Sequence, residues 1–383
     1  MSATPGPELP AHVVIWAYRL ILGRDAESKE VIRQWQSLGD APALVRHFMD
    51  SAEFRQTRAG RGLAPESLVP PDAEALDAWH WLRHGRPAPR ETGPVPPFLT
   101  LREALLHGWD TLPEVPPDAV LVEVDGRPHW VRGIAGDPYL RNAPNEAAML
   151  QRLVRLTRAL LPDGGEGAVL LDGGANLGLS ALAMAAGAPR HARLLAIEPN
   201  PRLSALLRDN LARNGLARAE VHQAALVATP GEVLLHDPAS ASVAFVTAAE
   251  NGVGSGARHV VPGLTLDELA RPLARLDLVK LDIEGSETQA IKGGLRSLRR
   301  LRTAVYVELN IWTQLRFAGV NPLRVIETWA KWFPHVVHFT EAGPRPVEGV
   351  HARSKMVHDI LMSPGRHDDI VLCFDLDWVK RWV

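Results

Sequence analysis

The chain has 383 residues, of which 46% are hydrophobic and 22% are charged, and its formal net charge is -2. This length and composition can fill the core of one large α/β domain and of a smaller one. The nearly balanced charge does not provide the basic field that nucleic-acid binding needs, so we expect no nucleic-acid partner. The single cysteine, Cys373, excludes an intramolecular disulfide and a multi-cysteine zinc site.

No segment approaches the roughly 20 consecutive apolar residues of a membrane span. Residues 1–10 lack the basic region and the apolar region of a secretory signal. We therefore expect a cytoplasmic protein that has no membrane span.

Residues 12–56 contain three apolar runs at helical spacing and predict a compact helical unit over residues 1–60. The segments Tyr18–Asp25 and Phe48–Phe54, with Trp35 between them, resemble a short bacterial helical domain of unknown function that accompanies surface-glycan and secreted-protein systems. The resemblance favours a glycan-associated context. It also makes residues 1–60 a candidate surface for a protein partner.

Residues 61–118 are rich in Pro, Gly and Arg and predict a linker that holds short helices. The cluster Trp79–Trp81 within this segment has two interpretations. It is either a stacking platform for a sugar or base, or an anchor that packs a linker helix onto the main domain. Anchoring is the more common role of such aromatic residues, and we favour it.

Residues 119–383 predict one α/β domain with a doubly wound, mostly parallel sheet, because strand and helix patterns alternate along them. A hairpin is indicated at Asp125–Gly126. Seven main strands are predicted: Val169–Asp172, Arg193–Glu198, Glu220–Gln223, Leu276–Asp282, Thr303–Glu308, Val336–Thr340 and Ile370–Phe374. An extra strand pair is predicted at Gly231–His236 and Arg258–Val261, and we expect the polar segment Asp237–Gly256 between them to cover a site or to be mobile.

The first of these strands runs into a turn of small residues, Gly173–Gly178, which is how α/β enzymes cradle a nucleoside cofactor. A dinucleotide-binding turn would read Gly-x-Gly-x-x-Gly, and this turn does not. Glu198 follows the next strand, where a ribose hydroxyl pair needs an acceptor. S-adenosylmethionine has the matching shape, with an amino-acid tail over the turn and a ribose at the carboxylate.

The ordered motifs of the chain resemble those of the FkbM-type S-adenosylmethionine-dependent methyltransferases over about half of its length. The matching segments are Asp172–Gly178, Glu198–Pro201, Asn210–Gly215, Ala224–Leu226, Thr265–Asp267, Lys280–Glu287, Ile291–Gly294 and Val307–Glu308. Gly173 departs from the family, which more often has a branched apolar residue there. The resemblance implies a methyltransferase sheet with a terminal antiparallel strand, and O-methylation of a hydroxyl on a sugar, a glycan or a secondary metabolite.

The resemblance also implies a set of cofactor-binding residues: Asp172, Gly174, Asn176, Gly178, Glu198, Asn200 and Ala225. Asp172 would orient the turn and accept from the cofactor ammonium, directly or through water. The small residues would let the backbone approach the cofactor closely. The alternatives are a satisfied strand-end carboxylate for Asp172 and a helix cap for Glu198.

The candidate catalytic residues are Asp282, Glu284 and Glu308, since the carboxyl ends of parallel strands meet at one edge of such a sheet. A sugar or alkyl hydroxyl is a poor nucleophile, so a base in hydrogen-bond reach would help. Either Asp282 or Glu284 can be that base, with Glu308 and Asn310 positioning the acceptor. Alternatively, Glu284 or Ser286 caps the following helix.

The same carboxylates can hold a divalent cation, but we do not favour metal dependence and assign no metal ligand. The acceptor is expected to be a small molecule or a glycan. The basic segment His351–His358 either contacts an anionic acceptor or is a solvated loop, and Trp312 either stacks on a sugar face or packs in the core.

Two other classes of protein compete with the methyltransferase reading. A nicotinamide-dependent oxidoreductase is disfavoured by the missing Gly-x-Gly-x-x-Gly turn and by the lack of a Tyr-x-x-x-Lys pair. A non-catalytic binding protein with a methyltransferase fold is disfavoured because Asp172, Glu198, Asp282 and Glu308 are all present.

Overall fold

The computed structural model describes residues 8–54, 72–89, 98–106, 108, 110, 119–134, 146–162, 165–237, 245–247, 257–340, 342–363 and 367–382. The chain divides into two compact units. One comprises Met1–Val131 with Leu140–Ala148, and the other comprises Arg132–Tyr139 with Met149–Val383.

The first unit is helical. Its helices are α1 (Ala11–Ala17), α2 (Lys29–Gln36), α3 (Ala41–Met49), α4 (Ala73–His84) and α5 (Phe98–Leu106). A π-helical turn, Tyr18–Leu22, extends α1 and ends at Gly23, whose left-handed φ of 73° suits glycine. The hairpin indicated by the sequence is present as β1 (Ala119–Val124) and β2 (Arg127–Arg132).

Helices α4 and α5, which the sequence placed in a linker, belong to the same hydrophobic core as α1 and α3. Trp79 of α4 is fully buried in that core with Trp16 and Leu44. The compact unit therefore extends past residues 60 and 118 to about residue 131. Trp79 anchors its helix within this unit. Because its ring is buried, a sugar or base cannot stack on it.

The second unit is built on an eight-stranded sheet with the strand order β13-β12-β14-β11-β10-β3-β4-β5. The strands are β3 (Val169–Gly173), β4 (Arg193–Ile197), β5 (Glu220–His222), β10 (Leu278–Leu281), β11 (Ala304–Asn310), β12 (His335–Thr340), β13 (Gly343–Pro346) and β14 (His367–Cys373). All seven predicted main strands are present, and β13 is an additional edge strand. β14 runs antiparallel to both of its neighbours, which confirms the predicted fold class.

A separate four-stranded sheet contains the predicted extra strand pair. Its strands are β6 (Ala225–Leu226), β7 (Gly231–Asp237), β8 (Phe245–Thr247) and β9 (Ala257–Leu264). β7 and β9 pair with each other, as the sequence indicated, and they run antiparallel. Most of the segment predicted to cover a site, residues 238–244 and 248–256, lies outside the described residues.

Helices fill the intervals of the second unit: α6 (Ala147–Leu160), α7 (Leu179–Gly187), α8 (Pro201–Arg213), α9 (Leu266–Ala270), α10 (Glu287–Lys292), α11 (Leu295–Leu301), α12 (Ile311–Arg316), α13 (Pro322–Trp332), α14 (Gly349–Met362) and α15 (Asp377–Lys380). All four residues of β10 are buried because helices cover both faces of a parallel sheet. Across the described ranges, every helix falls short of the length and apolar character needed to cross a bilayer.

Candidate active site

The turn after β3, Gly173–Gly178, is tightly packed against the end of β10. Gly174 has a left-handed φ of 75°, and a Cβ atom on it would lie 2.0 Å from the carbonyl oxygen of Asp282. The N–H groups of Gly174 and Ala175 both donate to the carbonyl oxygen of Ile197 at 3.0 Å. The protein's own backbone therefore requires the small residues here, and the turn lies directly against the segment that carries Asp282.

Gly173 and Gly178 are also required by packing within the chain. A Cβ atom on Gly173 would lie 2.6 Å from Leu226 Cδ1, which accounts for glycine where the resembled family more often has a branched residue. Gly178 has a φ of 96° and its Cβ position lies 2.9 Å from Leu207 Cδ1. Asn176 also adopts a left-handed conformation, with a φ of 48°.

Glu198 follows β4 and holds the β3 turn. Its Oε2 accepts a hydrogen bond from the N–H of Asn176 and its Oε1 from the N–H of Asn200, both at 2.9 Å. Burial raises the pKa of Glu198 to about 7, although these two hydrogen bonds act in the opposite direction. The structure thus places this carboxylate beside the turn, and not at a helix cap.

Asn200 and Ala225 have structural roles. The Asn200 Oδ1 accepts from the N–H of Arg202 at 2.9 Å and caps α8. Ala225 packs with Leu235 and Val261 in the core of the small sheet. The structure therefore does not bring the side chain of Ala225 to the β3 turn.

Asp172 and Lys280 form a buried ion pair between neighbouring strands, with Lys280 Nζ 3.6 Å from Asp172 Oδ1. Asp172 is 0% exposed, and the Ser180 hydroxyl donates to its Oδ2 at 2.6 Å. Burial raises the pKa of Asp172, and attraction to Lys280 opposes that shift. Asp172 is thus paired with Lys280 and Ser180, but its Oδ1 has no hydrogen-bond partner among the residues that the structure describes.

Lys280 also links the β3 turn to the segment after β10. Its Nζ lies 3.4 Å from Asp282 Oδ2 and donates to the carbonyl oxygen of Gly174 at 3.3 Å. Burial alone would lower the pKa of Lys280, but the carboxylates of Asp282, Asp172 and Glu308 outweigh it and raise the pKa. Lys280 was not among the site residues predicted from the sequence. The signal for it was a lone lysine in an otherwise apolar strand, two residues before Asp282.

Glu284 lies in the turn after β10, Asp282–Ser286, and has a left-handed φ of 52°. Its Oε2 is buried and has no hydrogen-bond partner within the described part of the chain. Burial and the nearby carboxylates of Asp282, Glu308 and Glu287 raise the pKa of Glu284 well above its ordinary value. The capping alternative is not observed, since neither Glu284 nor Ser286 makes a side-chain cap on α10.

Glu308 lies near the end of β11, directly opposite Asp369 of β14. Arg152 of α6 donates to Asp369 Oδ2 at 2.6 Å. Arg152 and Asp369 were missed by the sequence analysis, because one precedes the whole sheet in the chain and the other follows it. Asn310, expected to position the acceptor, instead accepts from the N–H of Thr313 at 3.2 Å and caps α12.

The basic segment His351–His358 lies on α14 and not in a loop. Arg353 donates to Glu327 of α13 at 2.7 Å, and Lys355 donates to Asp359 at 2.6 Å. Each of these cations thus has a carboxylate partner, on α13 for Arg353 and on α14 for Lys355. Trp312 is 48% exposed, so the core-packing interpretation of that residue is wrong.

No group of three or more His, Cys, Asp or Glu side chains arranged to hold a metal ion is found among the residues that the structure describes. The catalytic candidates Asp282 and Glu284 are instead accompanied by the ammonium of Lys280. The chemistry that this arrangement supports is proton transfer beside a tight backbone turn.

Residues 172–327 match the family model described as Methyltransferase FkbM domain. The resemblance seen in the sequence is thereby confirmed, and the chain carries a methyltransferase domain over these residues. No curated protein matches the chain.

Three similar solved structures have low identity to this chain. The methyltransferase FkbM from Methylobacillus flagellatus KT is 13% identical with a TM-score of 0.34, and the match covers 61% of this chain and 60% of that one. WbdD, in a co-crystal with a kinase inhibitor, is 16% identical with a TM-score of 0.35, covering 60% and 41%. The O-methyltransferase TomG from Streptomyces achromogenes, in complex with SAM, is 16% identical with a TM-score of 0.33, covering 59% and 81%. The chain thus spans less than two thirds of the first two.

Proposed function

We propose that the methyltransferase domain transfers a methyl group from S-adenosylmethionine to a hydroxyl of a sugar, a glycan or a secondary metabolite. The observation that carries this proposal is the junction of β3 and β10. There the β3 turn lies against Asp282, and Lys280 reaches both Asp172 and Asp282. A turn suited to a cofactor is thereby joined to carboxylates suited to proton transfer.

The residues at the β3 turn are compatible with an adenosyl cofactor. Each oxygen of Glu198 accepts one backbone N–H, and a carboxylate oxygen has a second lone pair. Glu198 would thus accept the ribose hydroxyls while its own position stays fixed. Gly174, Asn176 and Gly178 would border the amino-acid part, and Asp172 would act through Lys280 because it is fully buried. When bound, S-adenosylmethionine supplies an electrophilic methyl group.

Asp282 and Glu284 would have different tasks because their surroundings differ. Asp282 is paired with the Lys280 ammonium, whereas Glu284 Oε2 is buried with no hydrogen-bond partner among the described residues, and the pKa of Glu284 is raised. We therefore assign Asp282 as the base that accepts the proton of the acceptor hydroxyl. Glu284 stays protonated near neutral pH and donates a hydrogen bond to the acceptor, and Glu308 helps to position it.

The charges near the strand ends favour a neutral or polyhydroxylated acceptor over an anionic one. Asp282, Glu284 and Glu308 interact electrostatically with each other and with Lys280. The basic residues Arg353 and Lys355 are paired with their own carboxylates. A sugar presents hydroxyl donors that carboxylates accept well.

The direct test is transfer of a radiolabelled methyl group from S-adenosylmethionine to a panel of neutral, amino and phosphorylated sugars. We expect label on a hydroxyl of a neutral or amino sugar. Asp282→Asn should lower kcat by about 100-fold, the loss expected for removal of a general base. The matched control is Asp377→Asn, at an exposed position of α15, which should leave kcat unchanged. Wild-type protein that labels no hydroxyl, or full activity in Asp282→Asn, would contradict the proposal.

A further inference from the structure

The turn after β10 is held by a buried carboxylate that the proposed chemistry does not use. Glu287 Oε1 accepts hydrogen bonds from the N–H of Ile283 and from the N–H of Gly285, both at 3.1 Å. Glu284 and Gly285 within the turn have left-handed φ values of 52° and 97°. A left-handed conformation at a residue other than glycine persists only where the surroundings fix it, and the hydrogen bonds of Glu287 on either side of Glu284 provide that restraint.

The second oxygen of Glu287 is bound from another strand connection. Gln314 Nε2 donates to Glu287 Oε2 at 2.7 Å, and Gln314 lies on α12, which follows β11 directly. The two side chains are 2% and 1% exposed, so water does not compete for this bond. Helix α12 also packs on the turn itself, since a Cβ atom on Gly285 would lie 3.1 Å from the carbonyl oxygen of Thr313.

The contacts of this pair thus join the two strand ends that carry the candidate catalytic groups. Asp282 and Glu284 belong to the turn that Glu287 holds, and Glu308 belongs to the strand that leads into α12. The hydrogen bond between Glu287 and Gln314 is buried at the junction of these two connections.

We propose that Glu287 and Gln314 form a positioning pair that fixes the turn carrying Asp282 and Glu284 relative to the end of β11 carrying Glu308. This inference rests on the proposed function for its catalytic consequence. Neither residue contacts the acceptor. The pair instead fixes the geometry of the three carboxylates that contact it, and a misplacement of about 1 Å in such groups can lower a rate about 100-fold.

The test exchanges the two side chains. Gln314→Glu places a second carboxylate against Glu287, so we expect the bond to break and kcat at pH 8 to fall by about 10-fold or more. The double variant Glu287→Gln with Gln314→Glu restores one amide and one carboxylate in reversed order. The new amide on α10 would accept the two backbone N–H groups through its oxygen and donate to the new carboxylate on α12, so kcat should return to within about 3-fold of wild type.

Gln289→Glu is the matched control, because it makes the same change at an exposed position of the same helix as Glu287. It should alter neither kcat nor the affinity for S-adenosylhomocysteine. That affinity should also stay within about 2-fold of wild type in Gln314→Glu, since the pair acts on the acceptor side of the site.

Amide hydrogen exchange of Ile283 and Gly285 provides a readout that does not depend on turnover. Gln314→Glu should speed exchange at both amides and the double variant should restore protection, whether or not the wild type methylates the tested acceptors. If Gln314→Glu does not fold, Gln314→Met replaces it, with the same expected loss of protection. Unchanged exchange and kcat in the single variant, or a double variant no better than the single one, would overturn the inference.

Discussion

At the scale of single residues, Lys280 connects the parts of the proposed site. Its ammonium lies within 4 Å of the carboxylates of Asp172 in β3 and Asp282 after β10, and it donates to the carbonyl oxygen of Gly174. Removing one partner from such a buried set leaves charges uncompensated, which typically costs about 3 to 5 kcal/mol. The lysine thus stabilises the fold and the site by the same contacts.

Glu284 represents the opposite case, a group whose surroundings oppose its charge. Its pKa is raised by burial and by neighbouring carboxylates, above its ordinary value of 4.5. The folded state therefore binds a proton that the unfolded state has released. The stability linked to that proton is present below pH 4.5 and is lost as the pH rises towards the raised pKa.

Glu284→Gln should therefore stabilise the protein in a pH-dependent way. The amide resembles the protonated carboxyl and has no proton to lose, so Tm at pH 8 should rise by roughly 3 °C or more, and Tm near pH 4.5 should change little. Scanning calorimetry at the two pH values measures this. Methyl transfer should persist in part, because an amide can donate a hydrogen bond. An equal shift of Tm at both pH values would contradict the account.

Among single residues, those adjacent to a motif could be predicted from the sequence and those joined only by folding could not. Asp172, Glu198 and Asp282 follow apolar strands, so strand alternation placed them at one edge. Glu287 and Gln314 lie on helices after different strands, and no spacing in the chain indicates their contact. The sequence predicted that position 174 requires a small residue. It did not predict the cause, which is that a side chain there would collide with the backbone of Asp282.

At the scale of elements, alternation of apolar and polar segments predicted all seven main strands, and the family resemblance implied the antiparallel direction of the last. Edge strand β13 was missed because its short sequence contains two prolines and no apolar alternation. Helix α4 was predicted only as part of a linker. Its boundaries nevertheless carry ordinary signals, an N-cap aspartate, Asp72, and a left-handed Gly85 after its end.

Asn200 provides a test at this scale, since its side chain caps α8 while its N–H binds Glu198. Asn200→Ala should lower the free energy of unfolding by about 1 kcal/mol, because the first turn of α8 loses an acceptor. Asn200→Ser should retain most of the stability, since serine is also a good N-cap. Urea denaturation of the three proteins measures both effects. A serine variant as unstable as the alanine variant would show that the cap is not the source of the stability.

At the scale of the whole molecule, the chain consists of two compact units, each with a hydrophobic core of its own. The sequence predicted a helical unit and an α/β domain, but it placed the end of the first unit too early. Proline and glycine in residues 61–118 suggested a linker, whereas Trp79 and Leu101 lie in the helical core. Composition averages over a segment, and burial of a few large side chains decides where a unit ends.

Calorimetric titration with S-adenosylhomocysteine tests whether the β3 turn and Glu198 hold an adenosyl cofactor, as we propose. Wild-type protein should bind, and Glu198→Gln should weaken binding by about 10-fold or more, because an amide in place of the carboxylate opposes one of its backbone N–H partners. Glu220→Gln, a half-buried control on β5, should bind as wild type does. Absence of binding by the wild type, or equal affinity in Glu198→Gln, would contradict the claim.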